Sequence, residues 1–159
     1  MSLLPFFEWC ETTYLGETVR ASLWQFPVIE AFHLVAFALL GGTILAVDLR
    51  LLGFAFRSQP VAMLMRSLRP WFIAALAVMV VSGVLLFLSE AVKCYYSYPF
   101  RIKIICLALA IPFTFAVRNR VANADPARVG PFWGRLVAVV SLLLWGAVGW
   151  GGRWIGFSG

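Results

Sequence analysis

The chain has 159 residues, 62% of them hydrophobic and only 13% charged, with a mean hydropathy of +0.91. Ordinary globular chains carry about a quarter charged residues, so a water-soluble domain of this size could not cover its surface, and lipid must act as solvent for much of it. The net charge of +6 does not signal nucleic acid, because the arginines fall in short segments between apolar runs and form no basic helix with interleaved stacking residues.

Residues 1–22 alternate aromatic and acidic side chains: Phe6, Phe7, Trp9 and Tyr14 against Glu8, Glu11 and Glu17. That pattern predicts one or two short helices lying in the membrane interface, apolar face down; a loosely ordered tail is the competing reading. The segment has no basic start and no cleavage signal, so the first span is expected to remain uncleaved. That span is predicted over about 24–47, with Pro27 in its first turn, where a missing N–H is tolerated, and Gly41-Gly42 available for close helix packing. Residues 48–70 carry Asp48, Arg50, Arg57, Arg66 and Arg69. Within them Val61–Leu68 predicts a separate amphipathic surface helix ended by Pro70.

The second span is predicted over about 71–91, with Ser82-Gly83 as a small-residue contact, and a tyrosine-rich turn from Cys94 to Phe100 follows it. The third covers about 100–117, and Pro112 predicts a kink in it. A loop holding Arg118, Arg120, Asp125, Arg128 and Arg135 precedes the fourth span at about 132–150. The expected fold is an all-α, up-down four-helix membrane bundle in one domain, 1–159, with short interfacial helices at the N-terminus and in the first inner loop.

The loops after spans one and three hold eight basic residues (Arg50, Arg57, Arg66, Arg69, Arg118, Arg120, Arg128 and Arg135); the other side holds Arg20, Lys93, Arg101, Lys103 and Arg153. The positive-inside rule then puts both termini outside, on the periplasmic face of a bacterial inner membrane.

Up-down topology gathers at one end the start of span one, the end of span two, the start of span three and the end of span four. Those four segments carry Glu30 and His33, Glu90, Arg101 and Lys103, and Arg153. Ionisable groups at membrane depth are costly and tend to face the bundle interior in pairs. His33, the sole histidine, lies roughly 10 Å below the outer interface at 1.5 Å per residue, and Glu30 shares its helix face. One reading is a buried histidine bonded to a carbonyl or to Glu30; the other is an axial ligand to haem iron, with Phe37, Leu40 and Ile44 continuing its face. Lys103 either snorkels to headgroups or meets Glu30, Glu90 or a ligand carboxylate such as a haem propionate. Cys106 and Met79 are the available second axial ligands. Asp48 and Arg50 are expected to pair locally, and Cys10 and Cys94, both outside, are free to form a disulfide. One histidine cannot build a zinc or copper cage, no phosphate-binding glycine loop or serine nucleophile elbow occurs, and no inverted repeat suggests a transporter.

Several motifs carry a resemblance: Trp24-Gln-Phe-Pro-Val-Ile-Glu30-Ala-Phe-His33, Val47-Asp-Leu-Arg-Leu-Leu-Gly53, Arg69-Pro-Trp71, Ser82-Gly-Val-Leu-Leu-Phe87, Phe100-Arg-Ile-Lys103 and Gly152-Arg-Trp-Ile155. Over nearly the whole chain they resemble an uncharacterised family of small bacterial four-helix membrane proteins, which implies the fold and no activity. His33, Leu49-Arg50-Leu51 and Lys103 are more distantly similar to the HemJ-type protoporphyrinogen oxidases and to CopD-like membrane domains. That likeness implies His33 as ligand to haem b and Lys103 as a functional group at the porphyrin.

Two functions follow as expectations. One is a haem b-binding protein exchanging electrons, with quinone as a partner, Glu30 orienting the imidazole, and a homodimer if two His33 residues share the haem. The other is an accessory subunit docking on a larger membrane complex, its polar cluster serving as a packing network. Carriage of a small hydrophobic anion is a weaker third.

Overall fold

The computed structural model describes residues 3–124 and 126–155, and for 126–129 the backbone alone. Asp125 and the side chain of Arg128 therefore lie outside the described residues. No strand occurs among those described.

Two short helices lead the chain, α1 (Leu4–Glu11) and α2 (Tyr14–Ala21). Thr13 separates them and caps α2, its hydroxyl accepting from the Gly16 N–H at 3.3 Å. Such a cap satisfies one of the backbone donors that a helix start leaves open. Ser22 repeats the device for α3 (Gln25–Leu52), accepting from the Gln25 N–H at 3.2 Å. Gly53 ends α3 in the left-handed conformation (φ 83°), with the Phe54 N–H returning to the Leu49 carbonyl at 3.0 Å. A residue with a Cβ is strained at that φ, which is why glycine stands there.

α4 (Val61–Ser89) is one unbroken helix of 29 residues. Pro70 was expected to divide it into a surface helix and a span; it lies inside the helix instead. Proline removes one N–H bond, but packing holds both flanks in line. Leu64 and Met65 pack with Val47 and Ala122 before it, and Phe72 and Ala75 enter the main core after it.

The short α5 (Ala91–Tyr96) turns the chain into α6 (Tyr98–Phe113), which Ser97 caps. Beyond Pro112 the helix widens into a π-helical turn, Thr114–Arg118, and resumes as α7 (Asn119–Asn123). The expected distortion at Pro112 thus takes the form of a π turn, an arrangement that absorbs one extra residue within a continuous helix. α8 (Pro126–Ile155) breaks at Gly130 (φ 69°, ψ 153°), because the residue before a proline, here Pro131, is kept out of the helical region.

Four segments are long and apolar enough to cross a membrane: Gln25–Leu52, Val61–Ser89, Tyr98–Asn123 and Gly130–Ile155. They extend beyond the expected spans by up to about three turns. α3 packs on α4 and α8, and α8 packs on α6; α4 and α6 meet mainly through side chains. Among those side chains Phe72 and Phe115 stand edge-on at 5.9 Å, and Phe87 and Phe100 stack at 5.7 Å. Leu40, Ile44, Phe72, Ala75, Ala110 and Trp145 form the central core. Outward-facing Phe32, Trp71, Val81, Ile105 and Leu143 are the apolar surface that a helix presents to lipid.

α1 and α2 are seated on the bundle. α2 lies on α4 and α1 on α5, and Cys10 and Val19 are buried beneath them. This end of the bundle, where the described chain begins and finishes, is called the terminal end below; the opposite end is the arginine-rich end. Gly41-Gly42 does not serve the close packing expected of it, since a Cβ on either would meet nothing within 4 Å. The tight glycines are elsewhere, notably Gly16 against the Leu88 carbonyl and Gly149 against the Phe37 ring.

Candidate functional site

At the terminal end, His33 of α3 lies across α4. Its Nδ1 is 2.8 Å from Ser82 Oγ, and a Cβ on Gly83 would stand 3.3 Å from its Cε1. Ser82-Gly83 is therefore a small-residue seat for an imidazole. Ser82 has one proton, and its hydroxyl donates it to the Val78 carbonyl at 2.5 Å. The serine oxygen can then only accept from His33. The imidazole is fixed as the Nδ1–H tautomer, with the lone pair on Nε2.

Lys103 stands in the second turn of α6, behind the Ser97 cap. Its side chain runs along α8: a Cβ on Gly151 would be 3.2 Å from Lys103 Cβ, and one on Gly152 would be 3.4 Å from Nζ. Its charge reaches His33, so both groups belong to one neighbourhood. The half-buried pair is the part of the expected cluster that the fold brings together.

The rest of the cluster disperses. Glu30 is exposed on α3, and the imidazole bonds to Ser82 in place of it. Glu90 pairs with Lys93 at 3.5 Å, at the half-exposed end of α4. Arg101 is exposed, donates to the Tyr95 carbonyl at 2.9 Å and covers the Tyr95 ring. Arg153 is exposed near the end of α8. Leu40 and Ile44 belong to the central core, and Met79 packs against it. No group of three or more His, Cys, Asp or Glu side chains able to hold a metal ion occurs among the described residues.

Cys10, Cys94 and Cys106 are free thiols. Burial, with the Glu90 carboxylate nearby, pushes the Cys94 thiol up to about 11. A buried thiol with so little thiolate alkylates slowly. Iodoacetamide at pH 8 should modify Cys94 at least tenfold more slowly in the folded protein than after denaturation, as read by mass spectrometry; equal rates would mean that α1 does not stay seated.

At the arginine-rich end, sequence reasoning missed a buried ion pair. Asp48 is wholly buried and bonds not to Arg50 but to Arg118, whose Nε donates to Oδ1 at 2.7 Å. Arg118 also donates from Nη2 to the Ile44 carbonyl at 3.1 Å. Ser141 of α8 faces the same carboxyl group without meeting hydrogen-bond geometry, leaving Asp48 Oδ2 and Ser141 Oγ without partners. Arg50 instead donates to the Gln59 carbonyl at 2.7 Å. The π turn faces both Thr114 and Arg118 inward, and Thr114 accepts from Trp145 Nε1 at 3.0 Å. Arg118 was read as one of the loop arginines; the only sequence signal for its partner was an aspartate at the far end of a span.

Four lipid-length helices around a spare polar interior define an integral membrane protein of the four-helix class. Residues 6–158 match the model of the Family of unknown function (DUF6644), and the chain belongs to that family. No curated protein and no solved structure matches it, so the likeness to HemJ-type oxidases and CopD-like domains gains no support from comparison.

Proposed function

We propose that this chain is a haem b-binding protein of the bacterial inner membrane that takes part in electron transfer on the periplasmic side, with His33 Nε2 as axial ligand. The observation that carries the reading is the hydrogen bond pair at Ser82. It directs the imidazole proton to Nδ1 and leaves Nε2 able to coordinate. Protein ligands to a metal are commonly held in this way, by an acceptor on the opposite ring nitrogen. Bound haem b supplies one-electron chemistry.

The chain's own residues have separate tasks. Ser82 and Gly83 hold the ring against α4, and Lys103, leaning on Gly151-Gly152, offers a cation for a propionate. The excess of basic residues in the loops after spans one and three supports the orientation with both termini periplasmic. A second imidazole would have to come from another copy, and quinone fits as a partner soluble in the same bilayer.

The test is the visible spectrum of the full chain, expressed with haem precursor and purified in mild detergent. A Soret band is expected, lost in His33→Ala and kept in Glu90→Gln. Ser82→Ala should release haem on the order of tenfold more readily. Size-exclusion profiles matching wild type would show that His33→Ala still folds. A colourless wild-type protein would overturn the reading and leave an accessory subunit of a larger complex.

A further inference from the structure

A second polar site lies at the opposite end. A cavity of about 380 Å³ opens between α3, α4 and the π turn with α7. Its volume lies in the usual range for ligand sites, ~300–1,000 Å³. Its floor is apolar, with Val47 and the Phe72–Phe115 pair, and its rim holds Arg66, Arg69 and Arg118. No carboxylate lines it.

The three arginines are not equivalent. Arg118 is 3% exposed and fixed by Asp48 and Ile44, bonds that use two of its five N–H donors. Arg66 and Arg69, on one face of α4, have no hydrogen-bond or ion-pair partner among the described residues. They stand just before Trp71, where the apolar part of α4 begins. Two unpaired cations and a rigid third therefore converge at the edge of the lipid-soluble belt, above an aromatic floor.

We infer that this cavity binds the phosphate headgroup of an anionic phospholipid from the adjacent leaflet, with the start of an acyl chain against Phe72 and Phe115. The charge selects an anion, and arginine forks suit phosphate oxygens. The apolar floor selects an amphiphile over a soluble anion. Basic pockets between membrane helices are a recurrent means of lipid selection. The inference does not depend on haem binding at the other end.

The experiment is native mass spectrometry of the full chain in detergent, titrated with phosphatidylglycerol, phosphatidylcholine or inorganic phosphate. One bound phosphatidylglycerol is expected at concentrations where phosphatidylcholine gives no adduct. Arg66→Gln with Arg69→Gln should weaken it on the order of tenfold or more. Arg120→Gln with Arg135→Gln removes the same charge at the same end but outside the cavity, and should leave binding within about twofold. Equal binding of the two lipids, equal loss in the two double variants, or displacement of phosphatidylglycerol by millimolar inorganic phosphate would each overturn the inference.

Discussion

Asp48→Ala should destabilise this protein by about 3–5 kcal/mol, the loss expected when one partner of a buried ion pair is removed and the other stays behind. Asp48 is wholly buried and the Arg118 side chain is 4% exposed, so neither charge can turn to water without a helix moving. The variant should be recovered from membranes in much lower yield and lose its monodisperse profile in detergent on heating. Arg118→Ala should fall less far, because Asp48 can take up a proton and become neutral, whereas arginine cannot lose one. The double variant Asp48→Leu/Arg118→Met should recover most of the loss. Taking two charges out of water offsets much of their mutual attraction, and an apolar pair of similar volume is often as stable. A single Asp48→Ala variant as heat-resistant as wild type would mean that the pair is not closed in the membrane.

Gly16→Leu is expected to lift the N-terminal helices off the bundle. A Cβ at this position would stand 2.5 Å from the Leu88 carbonyl oxygen and 3.1 Å from its carbon. Both atoms are backbone and cannot rotate aside. Overpacking of a tight contact usually costs about 1–3 kcal/mol, and α2 has only eight residues with which to hold its place. The four spans should remain folded, because α2 contributes nothing to the central core. Cys10 and Cys94, both buried near this contact, report the result: their alkylation in the folded protein should rise at least tenfold in Gly16→Leu and only modestly in Gly16→Ala. Unchanged protection would show that α1 is held by its own contacts with α5, where Phe7 meets Tyr95 at 5.2 Å.

The four spans were readable in the sequence because apolar runs of membrane length have few other physical explanations. Their details were less so. Pro70 signals a helix end in isolation, but the packing of Leu64 and Met65 on one side and Phe72 on the other outweighs one missing N–H bond. The same limit governs the polar groups. Depth along a helix is countable, so His33 and Lys103 were placed at one level. The direction in which a side chain points depends on the crossing of helices far apart in sequence. Glu30 shares the face of His33 by periodicity yet is exposed, and the acceptor for the imidazole, Ser82, lies 49 residues away. Asp48 and Arg118 are 70 residues apart, and nothing in either local sequence distinguishes this pair from the arginines around it.

The widened turn at Thr114–Arg118 makes the third span longer by one residue than its hydrogen-bonding ladder requires. Each residue of a regular α-helix advances by about 100° around the axis. Deleting a single residue within that turn would let the ladder close and swing everything from Asn119 onward through most of a right angle or more. The membrane would still be crossed, and hydropathy would barely change. Ala122 would nonetheless leave its place beside Val47, and the loop arginines would meet a different neighbour. The protein thus carries a phase setting in its third helix that is invisible to composition, and a deletion there would be read as a misassembled rather than an uninserted chain.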